Sequence, residues 1–253
     1  MWHQLTYGKW ILAGLAAMGI GVSKSGLPGV SLLHVVIMAS LFDSRASTGV
    51  ILPMLVIGDI AAVAMFRRHA RVQLLVRTLP AGAVGVIVGW SIMALFPLWQ
   101  SGLTIGAIVL GLASLQFLRD WRPTLFEQVP QSTLFGVAVG LLAGATTMIA
   151  NAAGPVMGLY LLMVGLPKRE FVGTSAWFFL LINLFKVPFS WQLGLINSSS
   201  LMFNVVLSPL IVGGLFFGRE VVSRLPQRAF DTLVLGFAVV GALKLMGAFR
   251  LFS

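Results

Sequence analysis

The sequence predicts an all-α polytopic membrane protein built as two inverted five-segment repeats, each with a broken or re-entrant helix pair followed by three transmembrane helices. Three observations carry that expectation. The 253 residues are 58% hydrophobic and only 9% charged, with a mean hydropathy of +0.98, a balance too apolar for a soluble domain of this size. Apolar segments break twice, about half the chain apart, at a small polar cluster that leads into a proline: Ser23-Lys24-Ser25-Gly26 before Pro28, and Asn151-Ala152-Ala153-Gly154 before Pro155. The net charge of +10 is bunched in connectors, where positive charge sets the orientation of a multispanning protein rather than advertising nucleic acid.

In order, the apolar segments cover 8–22, 28–41, 47–66, 78–97 and 101–118, then 131–149, 155–167, 172–190, 200–218 and 229–248. Segments such as 172–190 and 229–248 approach the roughly 20 residues that a span requires. Segments 8–22, 28–41 and 155–167 reach only roughly 20 to 22 Å as helix, short of a hydrocarbon core about 30 Å thick. They read as hairpins that dip in and return, the first from outside and the second from inside, with tips near the midplane. Segment 131–149 is long enough to cross, so ten ordinary spans are the alternative. A shift of 126 residues lays Gly14-Leu15 on Gly140-Leu141 and Thr48 on Thr174. This divides one membrane domain into an amino-terminal repeat, 1–122, and a carboxy-terminal inverted repeat, 123–253.

Charge supplies the orientation. Arg67, Arg68, Arg71 and Arg77 fill one connector, Arg119 and Arg122 the mid-chain linker, Lys168 and Arg169 a third, and Arg219, Arg224 and Arg228 the last. All four are expected at the cytoplasmic face. Connectors 97–101 and 191–199 carry no charge, and Trp99 and Trp191 suit the outer interface. Alternation then sends 47–66 inward and its counterpart 172–190 outward. Glycines four apart, at 136, 140 and 144, at 85 and 89, and at 214 and 218, offer faces on which helix backbones approach closely. Met1 to Trp10 shows no small-residue cleavage site and reads as part of the mature chain.

The breaks carry the chemistry. Proline in the first turn gives up an N–H that had no intrahelical partner, so Pro28 and Pro155 read as helix starts. The N–H groups of Gly29, Val30, Val156 and Met157 would then point, with the positive ends of two half-helix dipoles, into one cavity. Lys24 adds charge of the same sign. Ser23, Ser25, Thr146, Thr147 and Asn151 add groups able to replace water around a small oxyanion. The expected substrate-binding set is Ser23, Lys24, Ser25, Gly26, Gly29, Thr147, Asn151, Gly154 and Val156. The plainer alternative is that Lys24 snorkels from an ordinary turn.

Three further groups are candidates for coupling or gating. Asp59 lies inside a span, where a carboxylate must be protonated, paired or part of proton coupling. Arg45, next to Asp43, falls on the outer side. Lys186, near the outer end of 172–190, either pairs with a carboxylate or, as the favoured reading, reaches the interface. His34 reads as packed, and Lys244 and Arg250 as interfacial.

Other function classes fare worse. Ser23 beside Lys24 makes a poor dyad because neighbours on one turn point apart, and no Gly-x-Ser-x-Gly or His-Glu-x-x-His pattern occurs. The chain has only His3, His34 and His69 and no cysteine, which argues against a resident metal centre. A transported metal cation held by Asp59, His34 and unwound carbonyls is the alternative cargo, opposed by Lys24. No enzyme activity, cofactor or nucleic acid is expected. The expected partners are a small anion, membrane lipid and a second copy of the chain in a homodimer.

Several of these motifs converge on one family. Gly140 to Gly144, Asn151 to Pro155, Tyr160-Leu161-Leu162, Lys168 to Phe171, Gly173 to Ser175 and Asn183 to Lys186 resemble the TauE/SafE family of sulfite exporter-like permeases. Gly21 to Gly26, Pro28-Gly29 and Arg45 to Gly49 resemble that family's weaker amino-terminal copy. The resemblance implies a multi-pass permease of the bacterial cytoplasmic membrane that moves sulfite, sulfoacetate or related sulfur-containing or organic anions, often outward. Many members carry a run of glycines at each break; here Leu27-Pro28-Gly29 and Ala152-Ala153-Gly154 stand instead.

Overall fold

The computed structural model describes residues 6–27, 30–42, 44–95 and 132–226, with isolated positions between 110 and 118 and between 229 and 243. Pro28, Gly29, Asp43, Trp99, Arg119, Arg122, Arg228, Lys244 and Arg250, the side chain of Arg45, and most of segments 101–118 and 229–248 lie outside the described residues. Among those described, all regular structure is helical. The helices are α1 (Tyr7–Lys24), α2 (Ser31–Leu41), α3 (Ser44–Phe66), α4 (Val72–Leu95), α5 (Thr133–Ala150), α6 (Ala153–Met163), α7 (Lys168–Gln192) and α8 (Ser198–Arg224). Five of them, α3, α4, α5, α7 and α8, are long and apolar enough to cross a membrane. Large apolar side chains such as Leu134, Val84, Val205 and Phe217 stand out from the bundle, as lipid-facing positions do.

Local signals fix several boundaries. Ser132 caps α5 by accepting the Phe135 N–H, and Asn197 with Ser200 forms a reciprocal capping box at the start of α8. Pro155 falls in the first turn of α6, two residues after its start, where the missing N–H does no harm. The short elements are short: α2 and α6 have 11 residues each, about 16 Å of helix.

Glycine faces set the packing. A Cβ on Gly21 or Gly214 would strike the backbone of the facing helix, at Ile211 and Met18 respectively, so α1 and α8 lie backbone against backbone. The same holds for α4 and α5, where Gly140 meets Thr78, Gly144 meets Gly82 and Gly85 meets Leu141. Paired positions rise together along both helices, so each of these pairs runs parallel. Each also joins the first half of the chain to the second. Gly136, by contrast, meets side chains, those of Tyr160 and Arg77, rather than backbone.

The ends of the bundle differ in charge. The Arg67–His69 turn after α3 packs on α7, the Arg71 side chain pairs with Glu170 at 2.5 Å, and Lys168 Nζ donates to the Val222 and Leu225 carbonyls at the end of α8. Three of the four basic connectors thus gather at one end, as the positive-inside argument expects. Arg77 is a correction: α4 begins at Val72, six residues before the anticipated segment, so Arg77 sits half-buried within the helix rather than in the connector. At the opposite end, Gly49 near the start of α3 abuts Leu195, and Trp191 is exposed. Helices α3 and α7 therefore run antiparallel. The α1–α2 pair begins and ends at this opposite end, and the α5–α6 pair at the basic end.

Candidate functional site

Both breaks reach the same small cavity. Ser23, Lys24 and Ser31 line it from the first, Thr147, Asn151, Ala153 and Gly154 from the second, and Leu55, Phe179 and Asn183 from the long helices α3 and α7. Its volume is about 20 Å³, room for a single water molecule and not for an oxyanion.

The first break is made by Gly26, whose φ of 123° suits glycine alone. It ends α1 just past Lys24, whose ammonium reaches inward instead of snorkelling. Lys24 Nζ lies 2.6 Å from Asp59 Oδ1, with the two side chains 8% and 0% exposed, and 4.7 Å from the centre of the Phe179 ring. The second carboxylate oxygen accepts from Asn183 Nδ2 at 2.7 Å. Of the three states open to Asp59 in the sequence, the geometry is that of a pair.

The second break turns on Asn151, in the left-handed conformation at φ 52°, which asparagine tolerates better than other branched or bulky residues. Its own N–H and that of Ala152 close the end of α5 on the Thr147 and Thr146 carbonyls. Its amide donates across to the Thr48 carbonyl of α3 at 3.1 Å. Lys186 Nζ donates to Asn151 Oδ1 at 2.5 Å, to the Thr147 carbonyl at 2.9 Å and to Thr147 Oγ1 at 3.1 Å. Lys186 is 1% exposed, so the expectation that it reaches the interface fails. Helix α7 continues past it to Gln192, and the second break extends far enough to meet it.

The remaining predicted residues divide. Ser23 and Thr146 spend their hydroxyls on carbonyls of their own helices. Ser25 does likewise and opens not onto the small cavity but onto a larger one. Val156 is fully buried in α6 and is not among the lining residues. Arg45 lies in the first turn of α3, and Gly29 is outside the described residues. Sequence reasoning missed Ser31, Phe179 and Asn183. One signal was available: Ser175, Phe179, Asn183 and Lys186 follow spacings of four, four and three, one face of a helix. Buried polar atoms without a hydrogen-bond partner among the described residues include Ser31 Oγ, Asn183 Oδ1, Ser175 Oγ and both ring nitrogens of His34.

The larger cavity, about 520 Å³, opens at the basic end and is lined by Ser25, His69, Lys168, Arg169, Arg219 and Ser223 with apolar neighbours. A narrow pocket is bordered by Ser23, Lys24 and Gly26 from the first break and by Phe171, Ser175 and Phe179 from α7. No group of three or more His, Cys, Asp or Glu side chains able to hold a metal ion occurs among the described residues.

Comparison with known proteins agrees with the residue motifs. No curated protein and no solved structure is matched. The model of one family, described as sulfite exporter TauE/SafE, matches residues 12–245. A multi-pass helical chain matched over nearly its whole length by this one model belongs to the sulfite exporter TauE/SafE family of membrane transporters.

Proposed function

We propose that this protein is a secondary transporter, an exporter, of a small anion such as sulfite, an organosulfonate or a related sulfur-containing or organic anion. The observation that carries the reading is the convergence of two helix breaks, from opposite ends of the bundle, on one cavity with the ammoniums of Lys24 and Lys186 beside it. Irregular backbone at membrane depth is tolerated where it lines a cavity, and such paired breaks are where transporters bind substrate. The basic vestibule favours loading of an anion from the cytoplasmic side, by attraction to Arg169 and Arg219. Residues 1–122 and 123–253 act as inverted repeats in a bacterial cytoplasmic membrane, alternating access by rocking about a site that is closed in this state.

The hydroxyl of Ser23 donates to the Ile20 carbonyl, away from any role as a nucleophile, which supports transport over catalysis. Lys24 already engages Asp59, which leaves a metal cation little to bind. The test is flux of labelled sulfite into liposomes carrying the purified protein. Lys186→Met and Asn151→Ala are expected to lower it about ten- to hundred-fold, the value of one charge-assisted hydrogen bond. Unchanged flux in both variants across a panel of sulfur oxyanions, sulfonates and carboxylates refutes the reading.

A further inference from the structure

With both lysines protonated, the buried network holds, among the described residues, one positive charge more than it neutralises. Lys24 from α1 and Lys186 from α7 bring two ammoniums, and Asp59 from α3 brings one carboxylate. Lys24 faces Asp59, whereas the partners of Lys186 among the described residues are neutral oxygens of Thr147 and Asn151. The surroundings of Asp59 add nothing to that sum among the described residues. Helix α2 contributes His34, buried with no hydrogen-bond partner. Helix α8 keeps Arg219, Glu220 and Arg224 exposed, and the connector after α3 does the same with Arg67, Arg68 and His69.

An ammonium held away from water without a countercharge is costly. The cavity between the breaks also presents the Ser31 hydroxyl, 8% exposed and without an acceptor among the described residues. A single negative charge there would neutralise the network; two would overshoot it, unless the carboxylate gave up its own.

Resting on the anion-transport reading above, we propose that the site accepts one net negative charge: a monoanion such as hydrogen sulfite or a sulfonate binds as it is, and a dianion binds only together with a proton taken up by Asp59. The proton comes from solution and adds to one carboxylate oxygen, Lys24 turns from Asp59 to the bound anion, and no other bond forms or breaks.

The proton count is read by titration calorimetry on the purified full chain near neutral pH, in two buffers of different ionisation enthalpy. Methanesulfonate serves as a fixed monoanion and sulfate as a fixed dianion. Methanesulfonate is expected to bind with no proton uptake, and sulfate more weakly with uptake of about one proton per ion bound. In Lys186→Met the network is neutral, so methanesulfonate should now bring about one proton; in Asp59→Asn sulfate should bring none. Proton uptake with methanesulfonate in the wild type, or none with sulfate, overturns the inference even if both variants fail to fold. Uptake that persists in Asp59→Asn overturns the assignment to Asp59 and points to His34. Binding of neither probe, nor of sulfite, sinks the anion reading itself, a result distinct from binding with the wrong proton count.

Discussion

The two breaks solve the same problem with their parts exchanged. At the first, the lysine sits on the break and the long helix α3 supplies a carboxylate; at the second, the lysine comes from the long helix α7 and the break offers only neutral oxygens. The first arrangement pairs its charge within the protein. The second gives its lysine hydrogen bonds but no carboxylate partner among the described residues. The difference teaches that two lysines of similar burial need not share a role.

The sharpest way to break this contrast is to remove each lysine in turn. Lys24→Met strands a buried carboxylate and should cost about 3–5 kcal/mol of stability, most of it recovered by adding Asp59→Leu. Lys186→Met should cost only about 1 kcal/mol, because lost hydrogen bonds are offset by an ammonium that no longer has to be desolvated. Thermal unfolding in detergent compares them, and equal losses would erase the distinction. Next in size, Gly21→Ala and Gly144→Ala should each cost about 1–3 kcal/mol by forcing two backbones apart. A similar effect at both sites would show that the α1–α8 and α4–α5 contacts are equivalent, and a loss at one alone that they are not.

A smaller effect separates backbone from side chain at the second break. Asn151→Gly keeps the left-handed turn while deleting the amide, so stability should fall by only about 1 kcal/mol while anion flux in liposomes falls about ten- to hundred-fold. Retained flux would reduce Asn151 to a turn residue. The least effect is expected at the basic end. Glu170 holds the Arg71 guanidinium above its already high ordinary value, yet the pair is exposed, and Arg71→Ala should leave the unfolding temperature unmoved.

What could be read in advance was punctuation. Gly26, Asn151 and Pro155 announce breaks by backbone chemistry alone, and the glycines at 85, 140, 144 and 214 announce close packing by their spacing. Depth was not legible. Lys186 lies near the end of its apolar segment, which reads as an interfacial position, but the helix continues through Trp191 and Gln192, and hydropathy does not register two residues that remain helical after the apolar run stops. Arg77 was misplaced for the mirror reason, since α4 starts before its apolar run does. The union of Asp59 with Asn183 spans 124 positions of sequence, and no local pattern reports such a meeting.

The parallel glycine contacts also govern how the protein can be made. The helix that meets α1 backbone to backbone is α8, which follows it by nearly the whole described chain. Until α8 arrives, the bare backbone of α1 faces lipid with no side chains to fill the gap. Closure of the α1–α8 seam therefore waits for late stages of synthesis, and a nascent chain halted midway would present an unfinished surface to quality control.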